Sequence, residues 1–260
     1  MRTPTSSLYD GAMPELVYLS SAKLQQFAID RPWWRGLRFF RSFALSIPLI
    51  GELSIGPGTP SRRNPLPEVK RAVSEIRRDR RGPYEATRDG LTAGDWISFK
   101  ILVNQYVPAD DVFASAVFFL QRGRSEGDGS PVRILLHGSA ENLRVRRAED
   151  ESSSEDRIAS ESRLFDELKL PEEDLRTTMT ALAALDAETA APWQPDEFCD
   201  RVQKAIRFIE AQVSPATATW TTGYARVTAV CGPSPAQAER LLVASPLNVE
   251  YVTSPPAARR

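Results

Sequence analysis

Histidine occurs once in these 260 residues, cysteine twice and methionine three times. One imidazole and two distant thiols do not supply a zinc ligand set, so no metal site is expected. Two cysteines make no disulfide framework. Cys199 falls on an expected helix and Cys231 at a strand end; both are read as reduced, which fits a cytoplasmic setting. No run approaches the ~20 apolar residues that span a bilayer. The uncharged stretch Ser42 to Gly51 is ten residues long and contains Pro48. No secretory signal is visible, because residues 1–12 are polar, and Met13 is a candidate start. A soluble protein follows. Walker-type glycine loops and Gly-x-Ser-x-Gly elbows are both missing. Gly56-Pro57-Gly58 is a poor nucleotide loop because of its proline. No cofactor is expected.

Lysine is also scarce. Five of the 33 basic residues are lysine, which leaves 28 arginines and suggests a GC-rich bacterial source. The net charge of −1 gives no general pull toward nucleic acid, so nucleic acid is not an expected partner. That charge is unevenly spread. Residues 31–88 hold thirteen basic and five acidic residues, whereas residues 149–200 hold sixteen acids and four basics. Helix surfaces of opposite sign explain this; assembly into a homo-oligomer through opposite charges is the sharper reading.

What is present is a faint repeat. Leu135-Leu136-His137-Gly138-Ser139-Ala140-Glu141-Asn142-Leu143 is echoed by Leu241-Leu242-Val243-Ala244-Ser245-Pro246-Leu247-Asn248-Val249, with four identical positions. Each copy reads as a buried strand that ends in a small residue, then Ser, then a turn carrying Asn. The echo suggests an internal duplication.

Leu16 to Leu19 is wholly apolar and predicts a buried strand. Ser20 or Ser21 then caps a helix carrying Leu24 and Phe27. Trp34, Leu37, Phe40 and Ala44 predict a helix face, and Leu49 to Ile55 a strand. Pro67 opens a helix striped by Leu66, Val69, Ala72, Val73 and Ile76. Strands follow over 97–103, 112–120 and 132–136. After a charged, serine-rich stretch come two helices. Leu175, Met179, Leu182 and Leu185 mark the first; Phe198, Val202, Ala205, Ile206, Ile209 and Val213 mark the second. Trp220 to Tyr224 and Ala225 to Val230 predict two strands, with Gly223 as a bend or bulge. Leu241 to Val243 is the last.

The expected fold class is α+β: antiparallel sheets flanked by helices, in two related helix-β-β-β halves. The expected division is a disordered extension over 1–12, a first half over 13–145, an acidic serine-rich linker over 146–162, a second half over 163–252 and a disordered tail over 253–260.

The candidate ligand-binding residues are His137, Ser139, Asn142, Ser245 and Asn248. Strand ends often carry sites, and the small Gly138 and Ala244 let a ligand approach closely. Turn duty competes with that role, because Ser and Asn commonly close turns. His137 and Ser139 share a strand face, but that spacing does not require a bond between them. Arg31, Arg35, Arg38 and Arg41, interleaved with Trp and Phe, are the candidate contacts for an anionic lipid or single-stranded nucleic acid. No catalytic residue is assigned.

The opening Leu16-Val17-Tyr18-Leu19-Ser20-Ser21-Ala22-Lys23-Leu24 resembles that of an uncharacterised actinobacterial family, domain of unknown function 7019. The resemblance runs through Glu52-Leu53-Ser54-Ile55, the Val69–Ile76 helix, and the strands around Trp96–Tyr106 and Val112–Leu120. It is clearest at Leu136-His137-Gly138-Ser139-Ala140 and continues at Ser245-Pro246-Leu247-Asn248-Val249. His137 stands where that family often has Gly. The resemblance implies a bacterial, cytoplasmic protein and no known activity. The leading functional expectation is a non-catalytic binding or regulatory partner of other proteins. A small-ligand-binding or hydrolytic enzyme built on the strand-end motifs is the alternative.

Overall fold

The computed structural model describes residues 15–28, 66–78, 82–108, 116–123, 125, 131–144, 172–185, 193–233 and 239–252. In chain order these form β1 (Glu15–Leu19), α1 (Ser21–Ala28), α2 (Leu66–Arg78), β2 (Tyr84–Glu85), β3 (Trp96–Tyr106), β4 (Ala116–Gln121), β5 (Val132–Ser139), α3 (Glu172–Ala184), α4 (Pro195–Gln212), β6 (Thr219–Cys231) and β7 (Arg240–Tyr251). The fold is α+β.

Five strands close on themselves. β3 pairs β4, β4 pairs β5, β5 pairs β7, β7 pairs β6 and β6 returns to β3. Closure removes the free edges that an open sheet of these apolar strands would expose. β1 and β2 are accessory, on β7 and β3 respectively. The expectation of purely antiparallel sheets is corrected: β5–β7 and β2–β3 are parallel. A parallel neighbour needs a long crossover, and α3, α4 and β6 lie between β5 and β7 in the chain.

Alternation along the strands sorts the core. Ile97, Phe99, Ile101, Val117, Phe119, Ile134, Leu136, Val227 and Leu242 belong to one buried cluster that fills the barrel, and Tyr18 joins it with its ring edge-on to Phe119 at 5.9 Å. The alternate residues Phe118, Leu120, Leu135, Leu241 and Val243 point outward to α3 and α4, where Leu175, Met179, Leu182, Phe198, Val202 and Ile209 meet them. Each such side chain contributes roughly 1.5–3 kcal/mol on burial, so both faces of the β-wall are needed to hold the fold. The predicted helical stripes are therefore the docking faces. α2 turns Val69, Ala72, Val73 and Ile76 inward against Leu19, Trp96 and Leu247.

Both copies of the echo lie in this wall. β5 and β7 lie side by side and parallel, pairing Ile134 with Leu242 and Leu136 with Ala244. The matching residues of the two motifs are offset from the pairing register by two positions. An even offset preserves the facing, so Leu135 and Leu241 both look outward and Leu136 and Leu242 both look inward.

The second half departs from the expected order. Thr219–Cys231 is one continuous strand instead of two, so two strands rather than three follow α4. Gly223 sits inside it beside a register irregularity between Tyr224 and Ala225. A Cβ there would overlap the Asn248 carbonyl oxygen and come within 2.7 Å of the Phe99 ring, so close strand approach requires the glycine. The helix and strand expected over 34–55, the 146–162 linker, the extension over 1–12 and the tail over 253–260 lie outside the described residues.

The cysteines correct a second expectation. Cys199 of α4 and Cys231 at the end of β6 form a disulfide, their Cα atoms 5.5 Å apart. Distance in sequence concealed this pair, because packing α4 against the barrel wall brings the two residues together.

Candidate functional site

The β5–β7 ladder stops at Leu136 and Ala244, and the strands part beyond it. β1 enters that fork. It takes over the edge of β7 through Leu19 opposite Asn248, and its other side meets the chain leaving β5 through Tyr18 and Leu143. The Arg144 amide donates to the Val17 carbonyl at 2.7 Å, and the Ser20 amide donates to Leu247 at 2.9 Å. α1 starts at the fork for a local reason. The Ser20 hydroxyl accepts from the Lys23 amide at 3.4 Å, which makes Ser20 the cap and leaves Ser21 as the first helical residue.

Lys23, in that first turn, reaches back to β7. Its Nζ donates to Ser245 Oγ at 2.6 Å and to the Pro246 carbonyl at 3.3 Å. Ser245 is 8% exposed and Lys23 half-buried. His137 comes next after Leu136 on β5, one residue past the last β5–β7 pair, and is 1% exposed. Its Nε2 lies 3.1 Å from Thr228 Oγ1, and that hydroxyl lies 3.1 Å from the Val243 carbonyl. A carbonyl only accepts, so Thr228 gives its proton to Val243 and His137 donates from Nε2. The Nδ1 nitrogen is then the acceptor of the ring. Burial lowers the His137 pKa to about 3, with a further push from the Lys23 ammonium, so the ring is neutral at pH 7.

The other expected site residues do different work. Ser139 caps the short 3-10 turn Ala140–Asn142 by accepting from the Glu141 amide at 3.3 Å. Asn142 donates to the Tyr18 hydroxyl at 3.4 Å. Burial raises the Tyr18 pKa, opposed by hydrogen bonds from Asn142, the Ser139 backbone and Ser20. Gly138 makes room for Tyr18, since a Cβ there would run into its hydroxyl and ring. Asn248 accepts from the Tyr224 amide at 3.3 Å and donates to Glu250 at 2.8 Å. Burial raises the Glu250 pKa, and the Asn248 bond opposes that rise.

The five residues therefore do not converge. His137 bonds Thr228 and Ser245 bonds Lys23, each just past the end of the β5–β7 ladder, while Ser139 and Asn142 secure the turn after β5 and Asn248 ties β7 to β6. The direct His137–Ser139 pairing is not made, because each side chain bonds elsewhere. Lys23 and Thr228 complete the fork and were not singled out from the sequence. No spacing rule links a lysine in the first helix to a serine 222 residues later. Arg31, Arg35, Arg38 and Arg41 lie outside the described residues.

Between α3 and α4 a shallow groove is lined by Asp174, Thr178, Glu197, Asp200, Arg201 and Lys204. Arg201 pairs with Glu197 at 3.0 Å and with Asp174 at 3.5 Å, while Lys204 pairs with Asp200 at 2.9 Å. Its charges largely serve one another. Among the described residues no helix is long and apolar enough to cross a membrane. No family model, no curated protein and no solved structure matches the chain.

Proposed function

We propose that the protein is a non-catalytic binding or regulatory partner in a multiprotein bacterial system, and that it belongs with the actinobacterial family its opening resembles. The filled barrel carries this reading. Phe99, Phe119, Ile134, Leu136 and their neighbours occupy the space that a ligand-carrying barrel keeps open. Recognition then falls to the outer surface and to the fork. The bonds of Ser139, Asn142 and Asn248 favour the scaffold role over ligand reading at those three positions.

The proposed setting is cytoplasmic and rests on the family resemblance alone: the Cys199–Cys231 disulfide removes the reduced cysteines that favoured it, and reducing compartments seldom keep such bonds. The reading is tested by affinity capture from native lysate at low and at high salt, followed by reconstitution with each recovered protein. A stoichiometric complex that co-elutes in size exclusion is the expected result. Failure to form any such complex in either salt regime contradicts the reading.

A further inference from the structure

We propose that Ser245, with Lys23 as its base, is a nucleophile that captures small molecules bearing an activated carbonyl as a serine ester. The proposal rests on the binding reading above and names the ligand class of the fork. Four observations carry it. The Lys23 Nζ to Ser245 Oγ distance of 2.6 Å is that of a proton-transfer pair. Ser245 sits just past the end of a parallel ladder, where two strands part and a helix begins. Ser245 is buried, at 8% exposure, and Lys23 is half-buried, so access to the pair runs along the lysine. His137 is held neutral by its burial and adds no second cation beside the lysine.

The step balances. Lys23 rests as the ammonium that donates to Ser245; once it has released a proton to water, Nζ takes the Ser245 hydroxyl proton while Oγ attacks the carbonyl carbon. The bond from that carbon to its leaving group breaks, and Lys23 passes the proton to the departing atom. The products are an acylated Ser245, a protonated leaving group and a regenerated amine.

The test uses the full chain with p-nitrophenyl acetate as the probe. Peptide mass spectrometry is expected to place one acetyl group on Ser245 of the wild-type chain, and Ser245→Ala to remove it. Lys23→Arg keeps a cation and hydrogen-bond donors but does not yield its proton. It is expected to slow labelling by roughly a hundredfold or more with little change in melting temperature. Acetyl on other residues only, no acetyl at all, or equal rates in Lys23→Arg would overturn the proposal. The wild-type mapping stands whether or not a variant folds. Continued nitrophenolate release with the same Lys23 dependence would uphold the dyad and overturn the non-catalytic reading instead.

Discussion

Acidification from pH 7 to pH 4 is expected to remove about 3 kcal/mol of folding stability through His137 alone. The chain has a single histidine, so the effect is assignable. Its folded pKa is about 3, against 6.5 when exposed. Between those values the unfolded chain holds one more proton than the folded chain. Stability is therefore fully present above the unfolded value and falls as pH drops through 6.5. The loss is about 4 kcal/mol at pH 3 and levels off just under about 5 kcal/mol at lower pH, at 1.36 kcal/mol per unit. Glu250 acts in the opposite direction. Its folded pKa is raised, so acid relieves a cost between that raised value and 4.5, offsetting part of the loss.

Two measurements separate these groups. The imidazole resonance of the folded protein should not titrate between pH 8 and pH 4.5. In chemical denaturation, His137→Gln can still donate toward Thr228 and should show a flatter dependence of stability on pH than the wild type. An imidazole that titrates near 6.5, or parallel pH curves for the two proteins, contradicts the buried neutral ring.

Reduction of Cys199–Cys231 is expected to cost about 4 kcal/mol. The bond closes a loop with a sequence separation of 32, and tethering a loop of that length removes about this much unfolded-chain entropy. It also fixes α4 to the end of β6, beside Phe198 and Val202, whose burial anchors the helix layer. The denaturation midpoint, followed by tryptophan fluorescence, should fall on adding reductant. A Cys199→Ser, Cys231→Ser double variant should match the reduced wild type and ignore reductant. Two titratable thiols in the native protein, or an unchanged midpoint, would contradict the bond. The barrel has one such staple where two cysteines first suggested none.

The sequence exposed the elements better than their arrangement. Helical stripes at Val69–Ile76 and Phe198–Ile209 were legible because one-sided burial writes a period of 3.6 into a sequence. β4 was legible as a buried strand because apolar residues fill both faces, whereas of β7 only Leu241–Val243 was read and the turn expected over Ser245–Asn248 is strand. The parallel pairing of β5 with β7 was hidden, because no local pattern encodes which distant strand becomes a neighbour. The echo was visible, yet its offset from the true register shows that it records shared burial on both faces and is not by itself a map of pairing. One long β6 was read as two strands because Gly223 has the look of a break. Its absent side chain instead admits the Asn248 backbone. At the site, His137 and Ser245 stood out as polar residues at strand ends. Lys23 and Thr228 did not, since their roles arise only when β1 enters the fork and the β6–β7 ladder shifts register near Thr228.

The central structural claim is that chain from both sides of residues 146–162 builds one closed barrel, with β6 bridging β3 and β7. A protease site placed within residues 146–162 tests it most directly. After cleavage, the two fragments should co-elute in size exclusion and unfold together in one transition, because neither holds all five barrel strands. Fragments that separate without denaturant, each with its own cooperative melt, would contradict a shared barrel.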